Sequence, residues 1–407
     1  MHRPRHGGRQ LTALSCALVF FATPVFSWMF GARAGEIENH KLASFPSIAD
    51  GWGMFTGLPA WATDHLVFRA AAIQAADGVS RGVFGEPAPL DQGNREPSGP
   101  LPGSPSPQDG EQGEDAPQAG SGRVLEGKND WLYFGMDVES KCAPGRPLNE
   151  SVQQLNKLRD AVTDSGRKFV LTVTPDKSTM VPQNLPDSYP GKDCARAASE
   201  KLWPEAIDNG GAIDLRPALR AAADRLHRPV YFKQDTHWTD EGSLEMVRAL
   251  AENIKPGSTA TWNTPESGMR TSTADLTMMM GRPADKRGMS YELRPDGFTD
   301  RTGELLRNLN RPVHRKSDST IGTIDERTTV LGDSFTKVAS RYLPAAFTDL
   351  TMLHYNSITD DARVAAKSLA DSEIVVVQIV ERSLASGNAP ILDQGFINEA
   401  SAALQPR

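Results

Sequence analysis

Cysteine is scarce in this chain of 407 residues: Cys16, Cys142 and Cys194 are the three, and no Cys-x-x-Cys motif occurs. Neither Cys142 nor Cys194 has a nearby histidine in sequence to activate it. A structural zinc site and a cysteine nucleophile are therefore excluded. There is no basic stripe. Lys and Arg are scattered and the net charge is −7, which excludes nucleic acid as a partner. No repeat of fixed period appears. Histidine-rich and carboxylate-rich clusters are also missing, so no metal and no cofactor is expected. Aromatics are few, whereas Gly and Pro are plentiful. That mixture implies folded segments separated by a loose one.

What is present begins at the N-terminus. Arg3, Arg5 and Arg9 precede an uncharged stretch over 11–30. It is long enough to cross a hydrocarbon core of about 30 Å as a helix. Basic residues before it favour a cytoplasmic start and place the rest of the chain outside. The alternative is a cleaved signal peptide, for which Ala32-Arg33-Ala34 offers a small-residue site. Either way the chain is expected to be extracytoplasmic, and as an anchor residues 1–34 tie it to the membrane by a single pass. Cys16 lies inside the apolar stretch, which leaves Cys142 and Cys194 as one possible disulfide in the exported part, where such a bond persists.

Residues 35–84 form a juxtamembrane region in which Trp61, Leu66, Phe68 and Ala72 could line a helix. Residues 85–122 have no aromatic residue, repeat Pro, Gly, Gln and Ser, and are acidic. Such a stretch cannot bury enough surface to offset its ordering entropy, and it reads as a disordered linker. Residues 123–407 read as one catalytic domain. A hairpin is expected over 124–134, turning at 128–130. Val152, Leu155, Leu158 and Val162 recur at helical spacing up to Gly166. Residues 169–173 read as a buried strand. A helix near 196–208, a short strand at 212–215 and a helix at 216–226 follow. A strand at 230–232 leads to the loop 233–238, and Thr239 or Asp240 caps the next helix. Residues 255–325 are less regular. Strands at 328–331, 349–354 and 374–379 close the series, with a helix near 360–370. Strands alternating with helices predict an α/β fold with a mostly parallel sheet covered on both faces.

In such sheets ligands bind beyond the carboxyl ends of the strands. Lys177, Asp235, His237 and Ser334 each follow an expected strand, so the fold would gather them along one edge. Ser334 stands in Gly332-Asp333-Ser334-Phe335, a strand running into a helix. Its backbone N–H would lie near a helix N-terminus, well placed for an oxyanion. A serine hydroxyl needs an adjacent base. Asp235-Thr236-His237 supplies one, because residues two apart in an extended loop project to the same side. Asp235 would orient His237 and leave its other nitrogen for Ser334. The plainer readings are a capping serine and a surface loop. Asp235 and His237 could also be half of a metal site that lacks a third ligand. Lys177 either binds an anionic substrate group or orders the site. Trp238 either stacks on a sugar ring or packs His237 in place. Arg382 either touches substrate or pairs with acidic neighbours.

The chain resembles the alginate O-acetyltransferase family, the AlgJ/AlgX type related to SGNH/GDSL esterases. Glu38-Asn39-His40-Lys41-Leu42-Ala43 with Phe45-Pro46 looks like its opening motif, and Asp64-His65-Leu66-Val67-Phe68-Arg69 like the next. Gly127-Lys128-Asn129-Asp130-Trp131-Leu132-Tyr133 is similar to its Gly-Lys-x-Gly-Trp-Leu signature, with Asp130 where the family has Gly. Thr174-Pro175-Asp176-Lys177, Asp235-Thr236-His237-Trp238-Thr239 and Gly332-Asp333-Ser334-Phe335 match its loop motifs. The resemblance implies an SGNH-hydrolase-like, flavodoxin-like three-layer sandwich outside the cytoplasm. It also implies transfer of acetyl to a polysaccharide acceptor through an acetyl-serine at Ser334, with His237 as base and Asp235 as its orienter. A membrane-bound acyltransferase would supply the acetyl group. An acetylesterase would use the same residues, and exclusion of water from the acyl-enzyme separates the two. A non-catalytic glycan-binding scaffold would have no need of an oriented base beside a serine.

Overall fold

The computed structural model describes residues 124–404 other than 281, with a few isolated positions before residue 80. The expected anchor or signal peptide, the juxtamembrane region and the acidic linker therefore fall, those positions apart, outside the described residues. Among the described residues no helix is long and apolar enough to cross a membrane. The chain divides into two compact units, and the one made of Glu96–Thr277 and Pro283–Arg407 holds the central sheet and the serine and histidine loops.

Largely buried strands build its centre. β3 (Lys168–Thr174), β8 (Thr328–Gly332) and β10 (Ile374–Val380) run parallel, with β10 in the middle. Every residue of β8 and β10 is buried. Successive side chains go to opposite faces. Val376 and Val380 join one apolar cluster, while Val375, Val377 and Ile379 join the other. The full six-stranded order is β4-β3-β10-β8-β9-β7, where β4 is Ile213–Asp214, β7 is Val313–Lys316 and β9 is Asp349–His354. β7 pairs antiparallel on the edge, and the other pairings are parallel. A flavodoxin-like sheet winds 2-1-3-4-5. Here the last strand lies beside the first, which departs from that order. A strand apolar on both faces belongs in the middle of the sheet, and β10 is one.

Helices cover both faces, giving three layers. Among the helices of six or more residues after residue 124 are α1 (Met136–Cys142), α2 (Leu148–Asp164) and α3 (Lys192–Pro204). They are followed by α4 (Arg216–Leu226) and α5 (Asp240–Ile254). Towards the C-terminus come α6 (Ser334–Ala339), α7 (Asn356–Ala370), α8 (Glu381–Ser386) and α9 (Gln394–Ala403). The expected stripe Val152, Leu155, Leu158 and Val162 is the buried face of α2 and shares a cluster with Ile358, Phe396 and Ile397. Leu219, Leu244, Val247 and Leu250 of α4 and α5 pack on the opposite face.

Two local expectations are corrected. Residues 230–232 are not a sheet strand. They close a tight loop through an isolated antiparallel bridge between Tyr231 and Trp238. The irregular 255–325 region holds a two-stranded antiparallel hairpin, β5 (Glu266–Thr273) with β6 (Asp285–Tyr291). Every side chain of β5 is exposed, so no apolar alternation marks it in the sequence. The N-terminal hairpin forms as expected from β1 (Val124–Glu126) and β2 (Leu132–Phe134). At its turn Asp130 has φ 59°, the left-handed region glycine adopts without cost. That explains why the related signature carries Gly there, while Asp is among the few residues that tolerate it.

Cys142 and Cys194 form a disulfide joining α1 to α3 across 52 residues. Closing a loop of that size stabilises by about 3–4 kcal/mol through the unfolded chain. Replacing both cysteines by alanine should lower the urea midpoint accordingly. Reductant should destabilise the parent chain and leave the variant unchanged.

Candidate active site

The serine turn is fixed independently of its hydroxyl. Asp333 caps α6, its Oδ1 accepting from Phe335 N at 2.9 Å and its Oδ2 from Val380 N at 2.7 Å. Gln378, a polar residue inside apolar β10, accepts from Asp333 N at 3.0 Å and Thr336 Oγ1 at 2.8 Å. A Cβ at Gly332 would overlap Thr336 Oγ1, so only glycine fits between β8 and α6. Ser334 is 9% exposed at the first position of that helix.

The histidine stands in the bridged loop. Phe232 N donates to His237 O and Thr239 N to Val230 O, which folds 233–238 into a compact turn. Asp235 Oδ1 accepts from the His237 backbone N at 3.0 Å and lies 3.0 Å from His237 Nδ1. The expected same-side projection is therefore realised. His237 Nε2 is buried, and among the described residues nothing hydrogen-bonds to it. The imidazole lies 5.0 Å, ring centre to ring centre, from Phe335, the residue after Ser334.

Two further charged residues reach this loop from the β5–β6 hairpin. Asp275, just after β5, places Oδ2 3.3 Å from His237 Nδ1 and accepts from Thr236 N at 2.8 Å through Oδ1. Its own backbone N donates to Asp235 Oδ2 at 2.9 Å. Lys286 of β6 donates to the same oxygen at 2.5 Å. Burial alone would lower the His237 pKa, but the two carboxylates outweigh it and raise it to about 9. Burial opposes ionisation of Asp235 as well, yet His237 and Lys286 hold its carboxyl well below the usual range. Sequence reasoning found no third carboxylate beside the Asp/His pair, and Asp275 is one. Single ligand atoms of Asp235, His237 and Asp275 lie within 4.8 Å of one another. These groups are, however, already engaged with each other and with the Lys286 ammonium.

The remaining expected site residues sit otherwise. Lys177 is buried, and its ammonium donates to the carbonyls of Phe232, Lys233 and Asp235 at 3.2, 3.4 and 2.7 Å. Its three donors are thus spent on ordering the histidine loop, which corrects the substrate-binding alternative. Burial lowers its pKa to about 8 despite nearby Asp275 and Asp235. Trp238 is fully buried, edge-on to Phe335 at 5.0 Å, so it packs the loop and cannot stack on a sugar. Arg382 pairs with Asp176 at 3.2 Å and Asp137 at 3.5 Å, and its guanidinium lies 5.6 Å from the Phe335 ring. It belongs to a buried charge cluster beside the site rather than to a substrate contact. Asp275 and Lys286 left no signal in the sequence. Gln378 did leave one, a polar residue within an otherwise apolar run.

A serine at a glycine-led turn after a central parallel strand, in a three-layer α/β sandwich, defines an SGNH-hydrolase-like fold. The chain belongs to the family described as SGNH hydrolase-like domain, acetyltransferase AlgX, whose model matches residues 124–347, more than half its length. It is similar to the probable alginate O-acetylase AlgJ of Pseudomonas syringae pv. tomato, 27% identical over 133 residues. The matched region covers 32% of this chain and 33% of that protein. The corresponding protein of Azotobacter vinelandii is 26% identical over 156 residues, 37% of each chain. The chain thus spans about a third of the length of these curated relatives. Among solved structures, the O-acetyltransferase domain of Pseudomonas putida AlgJ covers 69% of this chain and 98% of its own, with 17% identity and a TM-score of 0.47.

Proposed function

We propose that this chain is an extracytoplasmic O-acetyltransferase that acetylates a polysaccharide through an acetyl-serine at Ser334. The observation that carries the reading is the state of His237. Its Nδ1 is held by carboxylate, and its buried Nε2, on the ring beside the residue after Ser334, has no partner among the described residues. Ser334 Oγ attacks the acetyl carbonyl and passes its proton to Nε2, which returns it to the departing donor group. An acceptor hydroxyl then gives its proton to Nε2 and takes the acetyl from Ser334, restoring the serine. Membership of an acetyltransferase family and similarity to proteins named alginate O-acetylase support acetyl as the group moved and a polysaccharide as its acceptor. The basic residues and apolar stretch at the N-terminus support a membrane-tethered enzyme facing outward. Such an enzyme meets no cytoplasmic acetyl donor, which calls for a membrane-bound acyltransferase to hand acetyl across.

The test uses the full chain in detergent with a chromogenic acetyl ester, followed by intact-mass spectrometry. One added acetyl group on the parent chain, absent from Ser334→Ala, is expected. Anionic and neutral glycans added to the acetylated protein then separate transfer from hydrolysis. Neither adduct nor ester cleavage would leave a scaffold as the better reading. Because the neutral imidazole is the base, chromophore release should rise with pH through about 9 and fall below it.

A further inference from the structure

The β5–β6 hairpin brings the histidine a second acceptor that the three-residue site does not require. His237 Nδ1 faces Asp235 at 3.0 Å and Asp275 at 3.3 Å, so one N–H is shared between two carboxylates. Asp275 is not a bystander placed there by chance. Its backbone N and its other oxygen each hold a different part of the same loop, at Asp235 and Thr236. Two anions on one nitrogen would repel each other and bind the imidazolium proton too tightly. Lys286 meets this by donating to the Asp235 oxygen that points away from the histidine. Two carboxylates and one ammonium carry the net charge of a single carboxylate, the count an ordinary dyad has.

We propose that Asp275 is a second positioning carboxylate for the catalytic histidine, sharing Nδ1 with Asp235, and that Lys286 offsets the extra charge. The inference rests on His237 being the base of the proposed acetyl transfer. Two acceptors fix the ring against rotation from both sides, and either keeps the proton on Nδ1 so that Nε2 is left as an acceptor. The charged and titratable groups packed around the ring are Asp235 in its own loop and Asp275 and Lys286 from the hairpin. Lys177 acts on the loop through the Asp235 carbonyl, and α6 places the uncharged Phe335 ring beside the imidazole.

The plainer role for Asp275 is a loop staple, and titration tells the two apart. In the full chain with 13C-labelled histidine, the His237 resonance is assigned by its loss in His237→Gln and followed against pH. Asp275→Asn should lower the His237 pKa by about one pH unit or more, because a contact anion is removed. The alkaline rise in ester cleavage should move down with it. Lys286→Met should move the pKa the other way, and it keeps the question answerable if Asp275→Asn folds poorly. In a triad with one carboxylate, the Asp→Asn change costs ~10⁴-fold because the wrong tautomer results. Here Asp235→Asn should fall well short of that, and the Asp235→Asn/Asp275→Asn double variant should reach it. A folded Asp275→Asn protein with an unmoved His237 titration overturns the proposal, as does a full loss in Asp235→Asn alone. Absence of a serine adduct in the parent chain overturns the functional reading instead, and the histidine titrations show separately whether the pairing stands.

Discussion

Ser334→Ala is expected to lower acetyl release on the order of 10⁴-fold or more, with stability changed by less than about 1 kcal/mol. The separation of the two effects follows from how the turn is held. Gly332 fits by having no side chain, Asp333 caps α6 with one oxygen and holds β10 with the other, and Gln378 ties both to the sheet. None of these contacts uses the Ser334 hydroxyl. The hydroxyl is therefore free to act as a nucleophile and can be removed without disturbing the turn. His237→Gln should cost a similar factor, since a serine without its base is as weak as no serine. The double variant should lose little beyond either single change, because residues acting as one unit do not add. Burst kinetics and circular dichroism on the three variants check this. Ser334→Ala turning over at the parent rate would remove the serine from the chemistry.

The frame of the site was legible because each strand that supports it sends an apolar residue to each face of the sheet. Residues 169–173 read as a buried strand and 328–331 and 374–379 as strands, and each is a strand of the central sheet. Ser334 follows the second of them, so its position was readable too. Asp235 and His237 were paired correctly for a local reason, their spacing of two. The triplet 230–232 before them closes a bridged loop instead of joining the sheet, because a short apolar triplet looks the same in either. Asp275 and Lys286 could not be read. They are brought together by a hairpin whose first strand is wholly exposed, so nothing in its side chains signals register or burial. The roles of Lys177, Trp238 and Arg382 turned on burial, which a loop sequence does not encode. Each had a structural alternative, and the fold spends each on ordering or packing.

Lys141→Met is expected to destabilise the fold more than Ser334→Ala does. Five charged side chains meet beneath the site: Asp137, Lys141, Asp176, Glu381 and Arg382. Lys141 Nζ lies 2.9 Å from Glu381 and 3.0 Å from Asp176, and the side chains of all three are 2% exposed or less. Glu381 also accepts from Thr179, Ser199 and the Asp176 backbone, so the cluster joins the loops after β3 and β10 to α1 and α3. Burial pushes the Asp176 carboxyl well above its usual range, helped by Asp137, while Lys141 pulls it down. Burial likewise opposes the Glu381 charge, and Lys141 is what most strongly sustains it. Lys141→Met would keep the apolar stem but strand these carboxylates. A buried pair that loses one partner costs about 3–5 kcal/mol, far more than the pair contributes net. The deficit has a pH sign. A carboxyl whose folded pKa is raised costs stability once ionised, and that cost shrinks as pH falls through the folded value and is gone below the unfolded one. The loss in Lys141→Met should therefore shrink on acidification, as Asp176 takes up its proton. Adding Glu381→Gln should recover part of it at neutral pH, which a double-mutant cycle of urea midpoints would register. A Lys141→Met protein as stable as the parent would mean that the cluster holds no net charge for the lysine to balance.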